Sequence, residues 1–163
     1  MAGQSGKVAQ LLSILDQAYN RKSWHGTNLR GSVRGLTPLQ AGWRPSPGRH
    51  NIHELVAHAA YWKYAVANRL ARGRRGSFAL KGSNWFERKA TATGDWPGDV
   101  ALMDRMHREL RDVVAGIDEG ELERALPKSA TTPFALISGA AAHDLYHAGQ
   151  IQLIKALQRT RRA

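Results

Sequence analysis

The sequence predicts an all-α protein, a four-helix bundle with one long crossover connection. Three observations carry that expectation. Apolar residues recur every three or four positions in four separate stretches, and no stretch alternates with the period of a strand. One connection is also far longer than a hairpin between helices requires, and a long connection lets sequential helices lie parallel. The alternative architecture is an irregular all-α domain.

Helix one is expected from Ser5 to Tyr19, where Val8, Leu11, Leu12, Leu15 and Tyr19 share a face. Asn20 to Gly35 is basic and broken by glycines but still carries Leu29 and Val33, so it reads as a broken continuation of the same rod. Thr37, Pro38 and Gln40 supply an N-cap, a first-turn proline and a capping-box partner for a short helical turn. Arg44-Pro45-Ser46-Pro47-Gly48 ends that turn, because proline removes a donor and restricts its neighbour. Asn51 and Glu54 open helix two as a second capping box, and its stripe of Ile52, Leu55, Val56, Ala59, Trp62, Val66 and Leu70 runs to about Arg72.

Gly73 to Gly98 forms a connection longer than the ~12–15 residues at which loops become unusual, a length that suits a crossover or a pocket lid. Helix three is expected from Asp99 through Met103, Met106, Leu110, Val113 and Ile117, with breaks at Gly120 and Pro127. Thr132-Pro133 then opens a last helix through Phe134, Ile137, Ala141, Leu145, Ile151 and Ile154 to about Arg159.

At 163 residues the chain fits one domain, 1–163, and it holds 42% hydrophobic residues, as an ordinary globular domain does. The absence of cysteine excludes disulfides, thiolate nucleophiles and Cys-ligated metals, leaving His, Asp and Glu as the strong ligands. No apolar run approaches the ~20 residues that span a bilayer. Met1 to Gly6 lacks an export-signal layout, so a cytoplasmic protein without a membrane partner is expected.

The formal net charge of +11 favours anionic partners. Arg72-Gly73-Arg74-Arg75-Gly76 and the tail residues Lys155, Arg159, Arg161 and Arg162 read more readily as a solvated face and a frayed end than as a phosphate grip. Nucleic acid is thus a secondary expectation. No phosphate-binding glycine loop, zinc-finger spacing or nucleophile elbow occurs.

The sharpest chemical feature is His143-Asp144-Leu145-Tyr146-His147, since two histidines four apart on a helix project together. Both fall on the face of Leu136, Ala140, Ile151 and Ile154, opposite Gln152, Lys155 and Arg159, so both point inward. The pair alone reads equally well as buried histidines bonded to backbone or water, and a metal needs a third ligand. His58 lies near Leu55, Trp62 and Val66 and faces inward, whereas His53 sits about 140° away near Tyr64 and is expected to face solvent. His53 and His58 are five apart and diverge, unlike the zinc-protease pair, and Glu54 has a simpler role as the cap partner of Asn51.

Three neutral imidazoles at ~2.0–2.1 Å from a divalent ion leave a position for water or substrate, and a site without a carboxylate favours anionic ligands such as thiolate. Trp24-His25-Gly26 offers His25 as a proton carrier at a pocket mouth, although a surface histidine beside a helix-ending glycine is the plainer reading. Trp62, one turn beyond His58, either lines the cavity or is core.

Trp24-His25-Gly26, Trp43-Arg44-Pro45, Ile52-His53-Glu54-Leu55-Val56-Ala57-His58 and His143-Asp144-Leu145-Tyr146-His147-Ala148-Gly149-Gln150 together resemble the DinB/YfiT-like superfamily. The similarity covers nearly the whole chain, and its most specific part is one histidine of helix two followed by the paired histidines of the last helix. The resemblance implies up-down-down-up connectivity, frequent homodimers, and a divalent metal, often nickel or zinc, held by His58, His143 and His147. It further implies a small-molecule substrate, with thiol-dependent transferases and isomerases that use a low-molecular-weight thiol, and metal-dependent hydrolases, among its members. Two other functions are weighed against an enzyme of this kind: a basic module for nucleic acid or another polyanion, and a metal-stabilised stress-response dimer without turnover.

Overall fold

A computed structural model describes residues 6–72, 76–89 and 95–160. Every regular element among them is helical: α1 (Gly6–Tyr19), α2 (Leu29–Ser32), α3 (Pro38–Gly42), α4 (Ile52–Leu70), α5 (Trp96–Ala115), a 3₁₀ turn (Glu119–Glu121) and α6 (Pro133–Thr160). The four long helices are the four expected. α1 packs on α5 and α6, and α4 packs on the same two, so the long helices form a closed ring of contacts.

Local capping decides where these helices begin. Asn51 and Glu54 form a reciprocal capping box at α4, and Thr37 and Gln40 form another at α3; each cap contributes about 1 kcal/mol. The segment after α1 is not a continuation of that rod. Asn28 interrupts it, accepting from the Gly31 amide at 2.8 Å while its own amide donates to the Arg21 carbonyl at 2.8 Å, which starts α2 as a separate helix. α5 begins three residues earlier than expected, at Trp96, with Pro97 in its first turn. Trp96 is buried against α4 and α2 side chains, and its indole N–H donates to the Leu36 carbonyl at 3.0 Å.

The core falls into two apolar clusters. One gathers Tyr19, Leu29, Ile52, Leu55, Met103 and Ile151, the other Leu11, Leu15, Val66, Leu110, Ile137 and Ala141. Between them, on α4, α5 and α6, the buried residues are polar: Lys63, His107, Asp144 and His147. An unpartnered polar group in a low-dielectric interior is costly, so pairing within this layer offsets part of its burial. Lys63 and Asp144 form such an ion pair, with both side chains almost fully buried.

Residues 76–89 are held against α4 by aromatic packing. Phe78 and Phe86 lie 5.4 and 5.7 Å, centroid to centroid, from Tyr61, and the Tyr64 hydroxyl donates to the Gly76 carbonyl at 2.8 Å. The described part of the connection after α4 thus forms a wall on that helix. Of the basic run, Gly73, Arg74 and Arg75 lie outside the described residues, as do Arg161 and Arg162 of the tail. No described helix is long and apolar enough to cross a membrane.

Candidate metal centre

His58 on α4 and His143 and His147 on α6 converge. His143 Nε2 lies 3.2 Å from His58 Nε2 and 3.0 Å from His147 Nε2, and one ring nitrogen from each residue falls within 4.8 Å of the other two. Four donors at ~2.0–2.1 Å around one ion stand about 3.3 Å apart in a tetrahedron, so the two short separations suit a shared cation. The spacing arises simply: α6 carries its pair one turn apart, and α4 packs against α6.

The opposite ring nitrogens of His58 and His147 are engaged in the manner a metal ligand requires. His58 Nδ1 is 2.8 Å from the Asn84 carbonyl, and His147 Nδ1 is 2.6 Å from Gln150 Oε1. An acceptor at Nδ1 places the proton there and leaves the Nε2 lone pair free to coordinate. Asn84 adopts φ +63°, a left-handed conformation that asparagine tolerates better than most residues, and its side chain also accepts from the Trp62 indole at 3.0 Å.

Electrostatics keep these rings neutral. Burial pushes His143 down to about 3, helped by the nearby charges that His147, His58 and Lys63 would carry. Burial likewise brings His147 to about 4 despite its bond to Gln150, and lowers His58 despite its bond to Asn84. No carboxylate belongs to the cluster among the described residues. Asp144, adjacent in sequence, is paired to Lys63. Glu54 is also committed elsewhere, accepting from Arg44 at 2.5 and 3.0 Å and lying 2.9 Å from His50 Nδ1. Burial opposes its ionisation, but those bonds hold its pKa below the usual carboxylate value. The Trp43-Arg44-Pro45 stretch therefore braces the start of α4.

Aromatic rings enclose the centre. Trp85 stacks on His58 at 3.9 Å and on His50 at 3.6 Å, so the indole lies between two imidazoles. Trp62 is 6.3 Å from both His58 and His143 and lines a cavity that includes His143. His25 is exposed and lies in a separate shallow hollow with Leu145, Gly149 and Gln152, which contains none of the three clustered histidines. Trp24 beside it is almost fully exposed.

His53 corrects an expectation. Instead of facing solvent it is 2% exposed, with Nε2 2.9 Å from Asp99 Oδ2 and the ring edge-on to Trp96. A wheel drawn for one helix cannot show that α5 covers this side of α4 as well; Ile52 to Ala60 is buried on every face. Asp99 also accepts from Arg88, and these partners lower its pKa against the opposing effect of burial. Sequence reasoning missed Asn84, Trp85, Gln150 and Lys63. Two carried a readable signal: Gln150 follows His147 at helical spacing, and Lys63 interrupts the apolar stripe of α4.

A family model described as the DinB superfamily matches residues 22–151, most of the chain and all three histidines. No curated protein and no solved structure matches it.

Proposed function

The chain belongs to the DinB superfamily, and on that premise we propose that it is a divalent-metal protein acting as a metal-dependent hydrolase or a thiol-dependent transferase. The carrying observation is the convergence of three neutral imidazoles whose far nitrogens on His58 and His147 already have acceptors. His58, His143 and His147 would hold the ion, with nickel or zinc suited to an all-imidazole donor set. A bound ion supplies Lewis acidity toward an oxygen or sulfur donor.

The protein's own residues do the rest. Asn84 and Gln150 fix the rings, while Trp85 and Trp62 shield one side from water. Because the cluster brings no negative charge, an anionic donor such as a thiolate or carboxylate is the complementary ligand. The closed ring of four long helices supports the up-down-down-up bundle as its topology. A cytoplasmic homodimer acting on a small molecule is the setting we assign to it.

Metal analysis of untagged protein decides the central point. The expected result is one equivalent of nickel or zinc and, at a hundredfold excess over the dissociation constant, about 2.7 kcal/mol of added stability. Protein with no stoichiometric metal and no thermal shift overturns it.

A second reading rests on a different surface. Arg21, Lys22, Arg30 and Arg34 line a shallow hollow of about 530 Å³, and Trp24 stands exposed beside it, a pairing suited to polyanions or single-stranded nucleic acid. Binding there should fall about a thousandfold between 50 and 200 mM salt if roughly six phosphates are contacted; flat salt dependence excludes it.

A further inference from the structure

Beside the imidazole cluster a cavity of about 180 Å³ runs along the seam between α4 and α6, with His143 at one end and Arg69 at the other. Val66, Leu136 and Ala140 form its apolar walls. Trp62 to Arg69 spans seven residues of α4, or about 10 Å along the helix.

The charges in this groove are unequal. Lys63 and Asp144 line it but neutralise each other. Arg69 is exposed, and no ion pair among the described residues engages it. Gly139 contributes to the width: a Cβ built there meets nothing within 4 Å, so the helix itself does not demand a glycine at this position. Glycine inside a helix is unfavourable by about 1 kcal/mol relative to alanine, a cost without return in packing.

We propose that this groove seats the substrate, an elongated amphiphile. Its metal-binding donor lies at His143, its apolar body along Val66 and Leu136, and its anionic terminus at Arg69. The assignment rests on the metal reading above and deepens it, naming Arg69 and Gly139 as residues that set substrate length and charge. A thiolate or carboxylate at one end suits the uncharged ligand set, and a second anion suits the unpaired guanidinium.

Calorimetric titration of zinc-loaded protein with ω-mercaptocarboxylates, from mercaptoacetate to 8-mercaptooctanoate, tests it. Affinity should rise roughly fourfold per methylene until the chain spans the groove. Arg69→Ala should remove the advantage of a carboxylate over a methyl terminus, about threefold to fivefold for an exposed pair. Gly139→Leu places a side chain over Ala135 and Leu136. It should weaken the octanoate derivative at least tenfold while sparing mercaptoacetate and zinc content and without lowering the unfolding midpoint.

Affinity independent of chain length, or long-chain binding unaltered by Gly139→Leu, overturns the proposal. If the wild-type protein holds neither zinc nor nickel, the metal reading fails on its own. The groove is then judged on metal-free protein by the thermal shift with octanoate, which should be present in wild type and lost in Gly139→Leu; equal shifts in both reject it.

Discussion

His53 and His58 stand five residues apart on α4, both buried, and end in opposite chemical situations. His53 faces Asp99 on α5, a carboxylate that also accepts from Arg88 of the segment after α4. His58 faces α6, where it meets two more acceptors and no acid. The first arrangement joins α4, α5 and the segment between them and serves the fold. In the second, three nitrogen lone pairs crowd within a few ångströms, an arrangement that only a proton or a cation relieves, and burial disfavours the proton. Burial of a histidine is therefore uninformative until the charge opposite it is known.

The largest break in this comparison comes at His143, whose Nε2 lies 3.2 and 3.0 Å from the Nε2 atoms of His58 and His147. His143→Ala should lower metal affinity by well over a hundredfold and abolish metal-dependent thermal stabilisation, as read by metal content and melting curves. On the opposite side, Asp99→Ala leaves His53 and Arg88 without their common partner. It should cost about 3 kcal/mol in urea unfolding while metal stoichiometry stays unchanged. If Asp99→Ala removed the metal, or His143→Ala only destabilised, the two sides would not be separable in this way.

A smaller effect belongs to the rings' supports. Gln150→Ala should weaken metal binding about tenfold without removing it, since His147 keeps its place on α6 and loses only the acceptor for Nδ1. Competition with a chromophoric chelator measures the change.

Acid should sharpen the contrast further. His107, stacked on Tyr19 at 3.8 Å, is pushed down to about 3, first by burial and then by Lys63 and neighbouring arginines. The unfolded chain takes up a proton on this residue near 6.5 and the folded protein refuses it, so its contribution is complete above pH 6.5 and lost as pH falls toward 3. By one pH unit below 6.5 the cumulative loss is about 1.4 kcal/mol for His107. His143 and His147 act in the same direction in metal-free protein. His107→Phe should flatten this part of the profile in denaturant titrations.

Much of the helical framework was legible in the chain. The stripes of α1, α4, α5 and α6 and the boxes at Thr37 and Asn51 depend on neighbours three or four residues away, and such neighbours are visible in one dimension. The pair at His143 and His147 was legible for the same reason, while the choice of His58 needed only a correct face on α4. The start of α5 was misplaced because Trp96 and Pro97 sit among glycines that locally suggest a loop; packing of Trp96 on the Leu36 carbonyl pulls them into the helix.

The sequence by itself determined the four long helices, that no cysteine thiolate could serve, and that His143 and His147 share a face. Tertiary structure alone decided the partners. It buried His53, brought Asn84 and Trp85, 26 and 27 positions along the chain, onto His58, and divided the core with a polar layer. The physical reason is that a helix stripe encodes direction from its own axis, whereas the identity of the group opposite depends on how other helices pack, and nothing local to the stripe specifies that.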